Sequence, residues 1–154
     1  MRSENKDALL DRARAWAADD SDPETLAALR RAIEDEDLGS LGEGFDSPLE
    51  FGTAGLRGLL GFGPARMNRV TVGRATAGLA EQLIADVPDA LNRGVVVGRD
   101  ARRMSTEFAM TVAEVLAGYG YQVFWNPDPV PTPVAAFAGR YLNAAGDGGG
   151  DSQP

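Results

Sequence analysis

The chain has 154 residues, 15 basic and 23 acidic, giving a net charge of −8, with 44% apolar and 25% charged residues. That is one ordinary domain rather than two large ones, its composition excludes wholesale disorder, and its acidity argues against nucleic acid or an anionic membrane as a partner through bulk attraction. Cysteine and histidine are absent, which removes disulfides, thiolate nucleophiles, the usual neutral-pH general base and the commonest zinc ligand. Catalysis would have to rest on carboxylates, hydroxyls, Arg or Lys.

The opening MRSENKDALL has no apolar h-region, so no signal peptide is expected. No stretch approaches the roughly 20 apolar residues that span a bilayer. A soluble cytoplasmic chain is the expectation. Over residues 4–18, Leu9, Leu10, Ala13 and Trp16 recur at helical spacing and predict a short amphipathic helix. Asp22 before Pro23 reads as a cap with Pro at the first helical position, and Leu26, Leu29 and Ile33 form the stripe of a second helix. Residues 1–38 are therefore read as a helical hairpin. The acids, Gly and Pro of residues 39–48 read as a linker.

Residues 49–69 are dense in glycine: Gly52, Gly55, Gly58, Gly61 and Gly63, interleaved with Thr53, Arg57, Arg66 and Arg69. Such a loop can adopt positive φ and approach another group closely. A helix is predicted from about Asn68 to Asp86, burying Val72, Ala75, Leu79, Ala80 and Leu83. Val95–Val97 is a short apolar run ending in Gly98-Arg99-Asp100, suited to a strand buried on both faces. Ser105 is expected to cap the next helix, with Glu107 in its first turn and Phe108, Val112, Val115 and Tyr119 in period. Gly118 and Gly120 end it, and residues 121–125 form a second strand. The strand–helix–strand unit is long enough for a parallel crossover. A proline-rich connector over residues 126–133 leads to a helix over 134–142. A third strand should follow, but residues 146–154 read Gly-Asp-Gly-Gly-Gly-Asp-Ser-Gln-Pro.

Two segments could carry chemistry. Residues 52–58 combine free backbone N–H groups with the Arg57 guanidinium, both good ligands for phosphate oxygens; a plain glycine-rich hairpin with a surface arginine accounts for the same residues. No Gly-Lys-Ser/Thr follows, so this is not a P-loop. The second segment sits at the carboxyl end of the predicted parallel strand, where ligands collect in open α/β sheets. There Arg99, Arg102, Arg103 and Ser105 could form an anion pocket with a helix N-terminus; equally, Asp100 and an arginine could pair and fix the turn. The proline run could serve as a polyproline ligand, but between a strand and a helix it reads as a rigid connector. Trp16 and Trp125 suit core positions better than a sugar platform. Asp147 and Asp151 do not have the spacing of a calcium loop.

Taken together, Glu50-Phe51-Gly52-Thr53-Ala54-Gly55-Leu56-Arg57-Gly58, then Arg66-Met67-Asn68, resembles the opening of the α-D-phosphohexomutase superfamily, the phosphoglucomutases and phosphomannomutases. Val97-Gly98-Arg99-Asp100-Ala101-Arg102 and Pro131-Thr132-Pro133 match its next motifs in order. The Thr-Ala-Gly-Leu-Arg-Gly form, preceded by a helical hairpin, is most similar to the branch with phosphopentomutase-like members. The resemblance implies an α/β fold: a mixed sheet with crossover helices like the family's domain I, spanning residues 49–146 and stopping before the strand of the catalytic serine.

The resemblance also implies an isomerase. A phosphoserine gives its phosphoryl group to a hexose or pentose phosphate, the bisphosphate turns over, and the other phosphate returns to the serine. Magnesium bridges that phosphate. On this carry-over Arg57 faces the phosphoserine loop. Thr53 and Gly55 shape the arginine's loop, and Arg99, Asp100 and Arg102 support the site. Glucose, mannose or ribose phosphate would be the substrate. The family's Thr-Ala-Ser-His-Asn-Pro motif is missing; Ser152 falls at its place by position alone. With no metal loop and no later domains, a chain of these residues is expected to be inactive by itself. A frameshift would explain the tail over 147–154: under one codon choice, restoring the frame yields Gly-Val-Met-Val-Ala-Ala-Thr-His-Asn-Pro. A short paralogue with a glycine-rich end is the other reading, serving as a phosphosugar-binding or mutase-docking module. Without the third strand, self-association through an exposed sheet edge is expected.

Overall fold

In the computed structural model, which describes residues 2–52 and 55–146, the first apolar stripe lies on α1 (Arg2–Asp19), where Leu10, Ala13 and Trp16 are buried. Helix α2 (Pro23–Glu34) begins as its sequence dictates: the Asp22 carboxylate accepts from the N–H groups of Glu24 at 2.8 Å and Thr25 at 3.2 Å, and Pro23 takes the first turn. Asp20, also buried, accepts from the Asp22 N–H and the Thr25 hydroxyl. Asp22→Ala should therefore cost about 1 kcal/mol. A thermal melt should show this as a fall of roughly 2–4 °C.

The expected linker over residues 39–48 is corrected by the structure. It contains a third helix, α3 (Leu38–Phe45), capped by Asp37 through the Ser40 N–H. That contact and the Ser40 hydroxyl hold the Asp37 carboxyl below its usual range. Helices α1, α2 and α3 pack against one another around Trp16, Leu29, Leu41 and Phe45. The Trp16 ring stands edge-on to Phe45 at 6.0 Å, so Trp16 is core. Leu29 and Leu41 are fully buried, worth about 1.5–3 kcal/mol each in apolar transfer. Tertiary burial thus overrides the glycine content that made the segment read as a linker.

The strands differ from the expected mixed sheet. Among the described residues they form two separate two-stranded sheets. Strands β1 (Phe51–Gly52) and β2 (Gly55–Leu56) pair antiparallel. They are too short to build a wider sheet. Strands β3 (Val95–Val97) and β4 (Val123–Trp125) pair in parallel, Val95 opposite Val123 and Val97 opposite Trp125.

The chain divides into two compact units, residues 1–72 and 73–154, with the boundary inside α4 (Arg69–Asp86). In the second unit a short helix, α5 (Ala90–Arg93), leads into β3, and α6 (Ser105–Gly118) joins β3 to β4. Helix α7 (Thr132–Tyr141) starts two residues earlier than expected because Pro131 and Pro133 fit its first turn. The core gathers Ala80, Val95, Val97, Ala109, Leu116 and Tyr121. The Tyr121 hydroxyl donates to the Ala80 carbonyl at 2.7 Å, and burial raises its pKa.

Two burial expectations are corrected. Leu79 is 49% exposed, and on β3 Val96 is only half-buried while Val95 and Val97 are buried. No described helix is long and apolar enough to cross a membrane. Residues 147–154, with the predicted tail and Ser152, lie outside the described residues, as does Thr53.

Candidate functional site

The glycine-rich segment is a stack of close approaches. Gly52 pairs with Gly55, which has φ +88°. A Cβ on Gly58 would lie 2.8 Å from Leu49 Cδ2. The Leu49 N–H donates to the Pro64 carbonyl at 2.9 Å. Farther on, Leu60 bridges Met67, and the Met67 N–H reaches the Leu59 carbonyl at 2.8 Å. Gly63, at φ +89°, lies where a Cβ would sit 2.2 Å from the Gly44 carbonyl oxygen of α3. The loop is thereby fastened beneath that helix, with Arg66 paired to Glu43 at 2.7 Å. Arg57 is exposed beside this framework.

Sequence reading missed the residue that organises the loop. Asn68 is 1% exposed. Its Nδ2 donates to the carbonyls of Gly61 at 2.9 Å and Gly63 at 2.8 Å, while its Oδ1 accepts from the Thr71 N–H at 2.8 Å. One side chain therefore caps α4 and ties down two glycines. An Asn at the very start of the predicted helix was the available signal.

In the second unit the structure brings Arg99, Asp100, Arg102 and Ser105 together at the carboxyl end of β3. Asp100 Oδ1 accepts from the Arg102 N–H at 3.0 Å, and Arg102 Nε lies 3.3 Å from Asp100 Oδ2. The Arg102 backbone bond is the main reason the Asp100 carboxyl sits below its ordinary pKa; Ser105 and the Arg102 charge add to it. Both side chains are solvent-exposed, so water and salt screen the ion pair and it adds little to stability.

The expectation that Ser105 caps α6 is corrected. Met104, at φ +64°, holds the cap position, and the Ser105 hydroxyl instead accepts from the Asp100 N–H at 3.1 Å. Arg99 faces the proline connector. It donates to the Pro127 carbonyl at 2.6 Å, its own carbonyl accepts from the Val130 N–H at 2.8 Å, and its buried Nε has no partner among the described residues. This turn is thus an arrangement in which Asp100 holds the backbone and Arg102 remains open to water. Arg57 and Gly55 belong to the first unit.

Residues 48–147 match the model of the phosphoglucomutase/phosphomannomutase alpha/beta/alpha domain I. The chain belongs to this family. It is 38% identical over 130 residues to a probable phosphoribomutase of Schizosaccharomyces pombe, covering 84% of this chain and 22% of that protein. It is 40% identical over 103 residues to a phosphoglucomutase of Staphylococcus haemolyticus, covering 67% of this chain and 18% of the relative. A Staphylococcus aureus phosphoglucomutase is 42% identical over the same length. The chain spans about a fifth of the length of these curated relatives. No solved structure matches it.

Among the described residues, no three His, Cys, Asp or Glu side chains converge as a metal-ligand group.

Proposed function

We infer that this chain supplies the first α/β domain of a phosphosugar mutase, one that moves a phosphoryl group within a hexose or pentose phosphate by way of a phosphoserine and a bisphosphate. The observation that carries this is the fastened loop over residues 55–68 with Arg57 exposed on it, within the segment that matches the family's domain I. Charge neutralisation and positioning are what phosphoryl transfer asks of a protein, more than a strong base. An arginine on a rigid backbone frame meets that need. Arg102, also exposed, is the second candidate for a phosphate oxygen. The sequence lacks the family's Thr-Ala-Ser-His-Asn-Pro motif, so on this reading the chain by itself shows no turnover.

The test is a graft. Residues 48–146 replace the matching segment of the staphylococcal phosphoglucomutase, which keeps its own downstream sequence. The graft should convert glucose 1-phosphate in a coupled assay with magnesium and a bisphosphate activator. Arg57→Ala in the graft should lower kcat/KM roughly 100-fold, a loss of about 2.7 kcal/mol of transition-state stabilisation. The ungrafted chain should show no turnover. A folded graft that binds sugar phosphate without turning it over would instead support a phosphosugar-binding module. Turnover indifferent to Arg57→Ala would remove the arginine from the site.

A further inference from the structure

Helices α1, α2 and α3 lie outside residues 48–147, the segment that matches the family's domain I. They nevertheless hold its glycine-rich loop. Phe62 leaves the loop and packs against the helical core. Its ring centroid is 6.5 Å from that of Phe45 on α3, and Phe45 in turn meets Trp16 of α1. The Gly44 carbonyl of α3 accepts from the Ala65 N–H at 3.0 Å. The end of α3 is held from behind, where Arg12 of α1 donates through Nη1 to the Phe45 carbonyl at 3.3 Å.

From these contacts the path to Arg57 is short and runs mostly through backbone. Arg66, paired with Glu43 of α3, adjoins Met67. The Met67 N–H donates to the Leu59 carbonyl, and the Gly61 N–H donates back to the Met67 carbonyl at 3.2 Å. Leu59 is two residues from Arg57. Backbone packed on backbone has no rotamers with which to absorb a shift, so a displacement of α3 passes to the loop.

We propose that the three-helix unit is the positioning element for Arg57, acting through Gly44 and Phe62 as positioning residues. The unit fixes where the guanidinium stands; what the guanidinium does there rests on the mutase reading above. Misplacing a group by about 1 Å can cost roughly 100-fold in rate, so a role of this kind is large enough to be read in kcat.

Two glycines of α3 make the test. A Cβ on Gly44 would lie 2.9 Å from the Phe62 carbonyl oxygen and 3.0 Å from Phe62 Cε2, whereas one on Gly42 meets nothing within 4 Å. Alanine favours the helix at either position, so the contact with the loop is what separates the two variants. The chain has no cysteine. Arg57→Cys in the full chain therefore takes a single nitroxide label, whose electron paramagnetic resonance spectrum reports motion at position 57. Gly44→Ala and Phe62→Ala, with folding checked by circular dichroism, should each shift the spectrum toward faster motion. Gly42→Ala should leave it as in the parent.

Turnover supplies the second readout. In a graft that carries residues 1–146 of this chain ahead of the staphylococcal enzyme's own downstream sequence, Gly44→Ala should lower kcat roughly 10-fold and leave KM within about twofold. With Arg57→Ala already present, Gly44→Ala should change kcat no further, because the group it positions is gone.

Three outcomes would overturn the proposal. One is a spectrum that neither Gly44→Ala nor Phe62→Ala alters. Another is an equal effect of Gly42→Ala and Gly44→Ala, which would assign the change to α3 itself. The last is the same loss of kcat with and without Arg57, which would make the contact structural only. A graft indifferent to Arg57→Ala, beside a label that still responds to Gly44→Ala, would refute the phosphate role of the arginine and uphold the helical unit as the element that positions it.

Discussion

Replacing Asn68 with alanine should lower the melting temperature by roughly 10 °C. The side chain is buried and serves two carbonyls and one N–H across three separate backbone turns. Each buried polar group left without its partner costs about 1–3 kcal/mol. The three act as a unit, so the combined loss is about 3–4 kcal/mol rather than their full sum. Asn68→Asp separates the two roles. It keeps the acceptor for the Thr71 N–H and suits a helix N-terminus, but it loses the Nδ2 donor and sets a carboxylate oxygen against the carbonyls of Gly61 and Gly63. It should therefore be destabilised nearly as much as the alanine variant. Urea denaturation of both, with hydrogen exchange at residues 61–67, measures the effect. An aspartate variant as stable as the parent would show that the glycine contacts contribute nothing.

How far the fold could be read from sequence depended on how local its causes are. Helix α2 was legible because Asp22 and Pro23 carry the whole capping mechanism within a few residues. Strands β3 and β4 and the helix between them were legible because period and turn residues change sharply at Gly98, Gly118 and Gly120. Helix α3 was not. Leu38, Leu41 and Phe45 have helical spacing, but Gly39, Gly42 and Gly44 dilute it, each at a helix cost of about 1 kcal/mol relative to alanine. The reason for Gly44 is non-local: a Cβ there would lie 2.9 Å from the Phe62 carbonyl oxygen. A requirement of that kind cannot be seen from either segment alone.

The candidate site divides in the same way. Pairing of Asp100 with Arg102 follows from two neighbouring residues in one turn. The attachment of Arg99 to Pro127 spans the whole of α6 and needed the fold. Ser105 looked like a cap by every local criterion, yet its hydroxyl is taken by the Asp100 N–H, a competitor five residues back that propensity does not count. The half-covered face of β3 was also hidden. Three valines in a row predict burial on both sides, yet Val96 is only half-buried and lines an apolar groove with Leu79, Leu83 and Ala136.

Gly94→Ala should be the most damaging single methyl in the second unit. Gly94 has φ +71°, a conformation in which a Cβ costs about 1–2 kcal/mol. Here the atom would also lie 2.3 Å from the Gln122 carbonyl oxygen and 3.0 Å from its carbon. That oxygen accepts from Val95 at 2.8 Å, the hydrogen bond that starts the β3–β4 pairing. Backbone cannot move away as a flexible side chain would, so relief requires parting the strands. Strain and overlap together amount to about 3–5 kcal/mol. The expected result is a melting temperature lower by roughly 10 °C or more, with faster exchange at Val95–Val97. Because the Gly94 carbonyl also accepts from Ala145, the opposite edge should loosen in the same variant. Gly78→Ala is the control. Gly78 lies within α4, and a Cβ there meets nothing within 4 Å, so alanine should stabilise by about 0.5–1 kcal/mol. Gly94→Ala melting with the parent, or Gly78→Ala falling with Gly94→Ala, would show that steric fit at the start of β3 does not set the stability of this unit.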